Sequence, residues 1–197
     1  MRTPSTSMIA LALIAYSAVM VSLTMLKSFF VIGLLWVLEV HRNRSISLVP
    51  FNDFIESSSW FSPLFGYGGN FAFFVPFGVL FYVLLKTSGS WHKNSVVHTM
   101  RMGALFSLTI EISQYVFMLG YSDIDDLIFN TLGAGAGALI AKIFGERFFK
   151  VWVWLALILA VVFAVLVALG PRLGDPDKVV DLGQAQRLSV TPMNVFV

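Results

Sequence analysis

Long runs without charge organise this sequence. Residues Thr3–Leu26, Ser57–Leu85, Leu127–Ala141 and Val151–Pro171 contain no Asp, Glu, Lys or Arg, and between Met102 and Ser122 the single charge is Glu111. A bilayer core about 30 Å thick is crossed by roughly 20 apolar residues at ~1.5 Å each. The pattern therefore predicts five spans, at 8–26, 70–86, 102–120, 126–144 and 151–170. The first is read as a retained helix: its apolar run exceeds the length of a signal-peptide core, and no small-x-small cleavage site follows. Residues 28–40 are apolar but too short to span alone, and either extend that helix or lie in the interface.

The predicted fold class is all-α, a polytopic transmembrane helical bundle. Its organisation is an N-terminal transmembrane helix with its extension (1–43), a membrane domain (44–145), a final transmembrane helix (146–170) and a C-terminal tail (171–197). The aromatic residues of 51–69, including Trp60, Phe61, Phe65 and Tyr67, suit an interfacial loop, where amphipathic rings accumulate.

Composition agrees. Of 197 residues 57% are hydrophobic and 12% charged, half the charge fraction of a typical soluble domain. Cysteine is absent, which excludes disulfides and thiolate metal sites, and a net charge of +2 gives no argument for nucleic acid. Lysines and arginines cluster at 86–101 (Lys86, Lys93, Arg101) and 142–150 (Lys142, Arg147, Lys150), with Arg2 at the N-terminus. With five spans these share one side. By the positive-inside rule that side is cytoplasmic, although Arg42 and Arg44 fall opposite.

The exceptions to charge scarcity are the candidate chemistry. Glu111 lies within a span, where a carboxylate costs about 2.5–3.5 kcal/mol on insertion scales and usually faces a bundle interior or a cavity. Ser107 and Gln114 share its helical face. This stripe is either a packing cluster or a ligand-facing, proton-handling site. The turn Asp123-Ile-Asp125-Asp126 leads into Asn130, Gly133 and Gly137, so one face of the fourth span begins acidic, becomes amide and ends smooth. Gly133 and Gly137 form a G-x-x-x-G that lets two helix backbones approach. Asp123 and Asp126 suit the N-cap and N3 positions. The alternative is a divalent-cation site built from Asp123, Asp125 and Asp126, since hard cations take clustered carboxylate oxygens. Asn70 opens the second span as a cap or as part of the same polar end. Pro76 removes a helix hydrogen bond in mid-span, and Gly78 follows; both read as shape requirements. The histidines lie outside the spans with no metal-like spacing, and no hydrolase, nucleotide or zincin motif is present.

Four blocks together resemble the VanZ-like family of bacterial membrane proteins: RSISLVPF (44–51), NFAFFVPFG (70–78), SLTIEISQ (107–114) and DIDDLIFNTLGAGAG (123–137). Pro50, Phe51, Asn70, Phe74, Pro76, Gly78, Glu111, Gln114, Asp123, Asp126, Asn130, Thr131 and Gly133 match the family pattern. Ser47 stands where the family commonly has Asn, and Leu119–Ser122 lacks the Arg that many relatives carry before the acidic turn.

The resemblance implies an integral protein of the bacterial envelope. The family takes its name from a protein linked to resistance towards the glycopeptide antibiotic teicoplanin, and the resemblance supplies no reaction. Three functions follow as expectations. One is a non-enzymatic pocket of Asn70, Glu111, Gln114, Asp123, Asp126 and Asn130, facing outward and binding a lipid-linked, cell-wall or glycopeptide-type ligand. Another is a metal-dependent membrane enzyme acting on a lipid phosphate or lipid-linked sugar, although no Arg or Lys lies in the cluster to take phosphate charge. The last is a small transporter or assembly partner that oligomerises through Gly133 and Gly137. Membrane lipid is a partner in each case. No cofactor is expected beyond that divalent cation.

Overall fold

The structure is a computed structural model. It describes residues 3–25, 45–56, 60–89, 93–117 and 121–173. The 28–40 segment, Arg42, Arg44 and the tail beyond Leu173 lie outside the described residues. Five long helices dominate: α1 (Thr6–Met25), α3 (Phe61–Thr87), α4 (Ser95–Phe117), α5 (Ile124–Phe144) and α6 (Phe149–Leu173). A short helix α2 (Asn52–Glu56) precedes α3, and a 3-10 turn at Glu146–Phe148 joins α5 to α6. The all-α membrane bundle is what the charge gaps predicted.

By length and composition four segments are able to cross a membrane: Thr6–Thr24, Pro63–Thr87, Ile124–Phe144 and Glu146–Leu166. The remaining long helix, α4, spans 23 residues, about 34 Å at ~1.5 Å per residue. Its polarity has a direction. Ser95, Thr99, Gly103, Ser107, Glu111 and Gln114 are buried, whereas Leu105, Leu108, Ile112 and Val116 are exposed. Spacings of three and four place the two sets on opposite faces. Thus α4 turns its small and polar face inward and its apolar face outward, the arrangement expected of a helix bathed in lipid.

The core is set by close approach of α3 and α5, which run parallel. A Cβ on Gly133 would overlap the carbonyl oxygen of Phe71, one on Gly137 that of Val75, and one on Gly78 that of Ala134. The expected shape role of Gly78, Gly133 and Gly137 is thus located within this chain: the G-x-x-x-G seats α5 against α3. On the other side of α5, Gly103 of the antiparallel α4 meets the Ala134 methyl. Phe77 of α3 stacks on Phe106 of α4, with centroids 5.1 Å apart and planes within 5°.

Pro76 lies inside α3 without ending it. Its missing N–H leaves the carbonyl four residues back, at Ala72, without an in-helix donor. One residue further on, the Tyr16 hydroxyl of α1 donates to the Phe73 carbonyl at 2.8 Å. The proline turn is thereby tied to a neighbouring helix by a bond next to the freed carbonyl.

Two expectations need correction. Asn70 does not cap a helix: α3 starts at Phe61 and Asn70 is well inside it. Gly66, Gly68 and Gly69 disfavour a helix in water, but in a bilayer the intrahelical bonds outweigh that propensity cost of about 1 kcal/mol each. Likewise the 51–69 segment is mostly helical rather than an open interfacial loop. Trp60, Phe61 and Phe65 are exposed as that reading required, but Tyr67 is buried.

The sequence also gave no sign of strands. β1 (Ser45–Ser47) and β2 (Tyr121–Asp123) form a two-stranded parallel ladder, with Ser45 opposite Tyr121, Ile46 opposite Ser122 and Ser47 opposite Asp123. It joins the segment before α2 to the turn before α5.

Candidate functional site

The ladder lies at the bundle end where α4 finishes and α3 and α5 begin. Glu111, one turn and a half from the end of α4, is 7% exposed. Its Oε2 accepts the backbone N–H of Asp123 at 3.0 Å, and its carbonyl accepts the Ser122 hydroxyl at 2.8 Å. The Glu111 carboxylate and carbonyl therefore hold β2 and position the start of α5. Three residues on, the Gln114 amide donates to the Thr24 carbonyl of α1 at 3.2 Å. One turn deeper, Ser107 accepts from the Asn130 side-chain amide at 2.8 Å. The predicted Ser107–Glu111–Gln114 face thus binds three different elements.

The acids of the turn separate. Asp123 is the N-cap of α5, its Oδ1 accepting the Asp125 N–H at 2.9 Å, as the capping reading held. Asp126 accepts from the Asn70 side-chain amide, which fixes the turn to α3. Asp125 points into the protein and is fully buried. Its Oδ2 accepts the Phe51 backbone N–H at 2.7 Å and the Tyr67 hydroxyl at 2.8 Å. Asp123, Asp125 and Asp126, expected as a divalent-cation set, bond different partners here. Each carboxylate is directed to its own partner, and among the described residues no group of three His, Cys, Asp or Glu is arranged to hold a metal ion.

Phe51 explains the role of the Pro50-Phe51 pair. It is a non-glycine residue with a left-handed backbone, φ 62°. Such a conformation costs of order 1–3 kcal/mol and persists only where surroundings enforce it. Here they are the Asp125 carboxylate on its N–H and an aromatic nest. The Phe51 ring meets Tyr67 and Phe129 edge-on, and those two rings stack 4.8 Å apart.

All six expected pocket residues (Asn70, Glu111, Gln114, Asp123, Asp126 and Asn130) lie in this end of the bundle, in separate hydrogen-bonded sets: Glu111 with Asp123, Asp126 with Asn70, Gln114 with Thr24 and Asn130 with Ser107. Asp125, expected only as a cation ligand, joins Asp123 to Phe51 and Tyr67, and Phe51, Tyr67 and Thr24 were not among the expected site residues. Three buried acceptors, Gln114 Oε1, Asp125 Oδ1 and Asn130 Oδ1, have no hydrogen-bond partner among the described residues.

Beside the network a cleft of about 210 Å³ opens between α4, the start of α5 and β1. Glu111, Ser122 and Asp123 border it together with Leu108, Ile112 and Leu127. The basic residues Lys86, Lys93, Arg101, Lys142, Arg147 and Lys150 fall at the opposite end, where α3 and α5 finish and α4 and α6 begin.

These features define a multi-pass membrane protein, an all-helical bundle with a group of carboxylates and side-chain amides at one end and a group of lysines and arginines at the other. The chain belongs to the VanZ/LLP1 family, whose signature matches residues 13–145 and so takes in α1 beyond Ala12 as well as the four blocks. It is similar to Protein VanZ of Enterococcus faecium, with 34% identity over 113 residues, covering 57% of this chain and 60% of that relative. The match therefore spans less than two thirds of the relative's length. No solved structure matches the chain.

Proposed function

We propose that the protein is a non-enzymatic component of the bacterial cell envelope that binds an amphiphilic ligand of the lipid-linked, cell-wall or glycopeptide type at the end carrying Glu111, with that end facing outward. The observation that carries this reading is the polar corner of Glu111, Ser122 and Asp123 bordering a cleft whose other walls are largely apolar. An amphiphile presents the same division. Membership of a family named for a teicoplanin-resistance protein supports the ligand class, and the basic residues at the far end support the orientation, with the N-terminus cytoplasmic.

The test is teicoplanin susceptibility of a sensitive Gram-positive host expressing the wild-type chain or the Glu111→Gln, Asp126→Asn double variant. Wild type should raise the inhibitory concentration and the double variant should lose that protection at equal membrane abundance. Full protection by the double variant would refute the reading.

A further inference from the structure

The cleft beside Glu111 carries an inference about how the ligand is held, and it rests on the function proposed above. Its walls come from three elements: Leu108 and Ile112 of α4, Ile124 and Leu127 of α5, and Ile46 and Leu48 at β1. Its polar groups form one corner. Ser122 bonds the Glu111 carbonyl, the Asp123 N–H bonds the Glu111 carboxylate, and Ser47 lies opposite Asp123 in the ladder. The remaining lining is an apolar slot, apart from the Tyr115 ring.

Leu108 and Ile112 are exposed and lie on the outward apolar face of α4. In a bilayer such an apolar, outward helix face is turned to hydrocarbon. Water does not fill such a slot, because an ordered water needs two to four polar partners. Leaving it empty forfeits dispersion contacts on every wall.

We propose that the slot is a binding site for one aliphatic chain of an amphiphile, entering sideways from the bilayer between α4 and the Ile46–Leu48 segment while the polar head stays at the Glu111–Asp123 corner. The site then distinguishes ligands by their chain. An unlipidated head group occupies only the corner. The segment from β1 to Phe51 is the outer wall, held by the ladder and by the Phe51–Asp125 hydrogen bond.

Photolabelling tests this in the intact protein. The wild-type chain, in nanodiscs of neutral phospholipid, is irradiated with a lysophosphatidylcholine bearing a diazirine in its chain, and labelled peptides are mapped by mass spectrometry. Peptides carrying Leu108–Tyr115 and Ile124–Leu127 should be labelled several-fold above the equally lipid-exposed Leu11, Ile14, Val161 and Val162. An unlabelled long-chain analogue should remove the excess, and its short-chain homologue should not. Ile112→Trp, which fills the slot from an exposed position, should abolish it. Even labelling of all lipid-facing helices, or an excess that the long-chain analogue leaves in place, overturns the proposal. The competition arm needs no variant, so misfolding cannot mimic failure. Loss of the labelling pattern while the double variant still loses teicoplanin protection removes the chain site and leaves the proposed function standing. Full protection in that variant removes the function itself.

Discussion

The carboxylate of Asp125 holds the backbone N–H of Phe51, 74 positions earlier in the chain, at 2.7 Å. That bond joins the first of the four sequence blocks to the last at the point where the chain turns left-handed. The same oxygen accepts the Tyr67 hydroxyl, so one buried side chain unites the segment before α2, the first turns of α3 and the start of α5.

Asp125→Ala should therefore be severely destabilising, because it leaves the buried Tyr67 hydroxyl and the part-buried Phe51 N–H without their acceptor and removes a restraint on a left-handed residue. A loss of about 3 kcal/mol follows from two donors left without their acceptor. Tyr67→Phe, which removes one donor and keeps the ring stack, should cost only about 1 kcal/mol. Thermal unfolding of the two purified variants in the same detergent checks the order; equal losses would contradict it.

Gly137→Ala should be poorly tolerated, since the added methyl meets the Val75 carbonyl at the α3–α5 crossing. Overpacking of this kind costs roughly 1–3 kcal/mol. Gly68→Ala is the control: nothing lies within 4 Å of a Cβ there. It should be neutral or stabilise by up to about 1 kcal/mol through helix propensity. Folded yield and thermal stability of the pair read the contrast directly.

Tyr16→Phe should cost about 1 kcal/mol by removing the donor to the Phe73 carbonyl beside Pro76. If that bond serves the proline turn, the cost should shrink in a Pro76→Ala background, where Ala72 regains its in-helix donor. A double-variant cycle by thermal unfolding measures the coupling. Strict additivity would separate Tyr16 from the proline.

Much of this was legible in the sequence because lipid makes strong demands. Charge gaps located the long helices, and a helical period put Ser107, Glu111 and Gln114 on one face. Gly133 and Gly137 announced a close crossing, which proved to be internal, against α3. What escaped notice lacked periodicity. Three-residue strands at Ser45–Ser47 and Tyr121–Asp123 are too short to alternate visibly, and their partners are far apart in sequence. The start of α3 was hidden by Gly66, Gly68 and Gly69, whose propensities hold for water rather than a bilayer. Tyr67 resembled an interfacial aromatic; its buried hydroxyl bond to Asp125 depends on a turn that only the tertiary structure forms. Sequence gives the spacing of the three aspartates but not the direction each side chain takes. In the folded chain one caps a helix, one turns inward and one faces Asn70.

The claim on which the rest depends is that the Glu111 end of the bundle faces outward and the lysine-rich end faces the cytoplasm. The chain contains no cysteine, so single substitutions report cleanly. Ile55→Cys lies at the Glu111 end, outside the slot, and is exposed; Lys93→Cys lies at the other and is also exposed. In intact cells a membrane-impermeant maleimide should label Ile55→Cys and reach Lys93→Cys only after permeabilisation. Labelling of both from outside, or of Lys93→Cys alone, would contradict the outward-facing site.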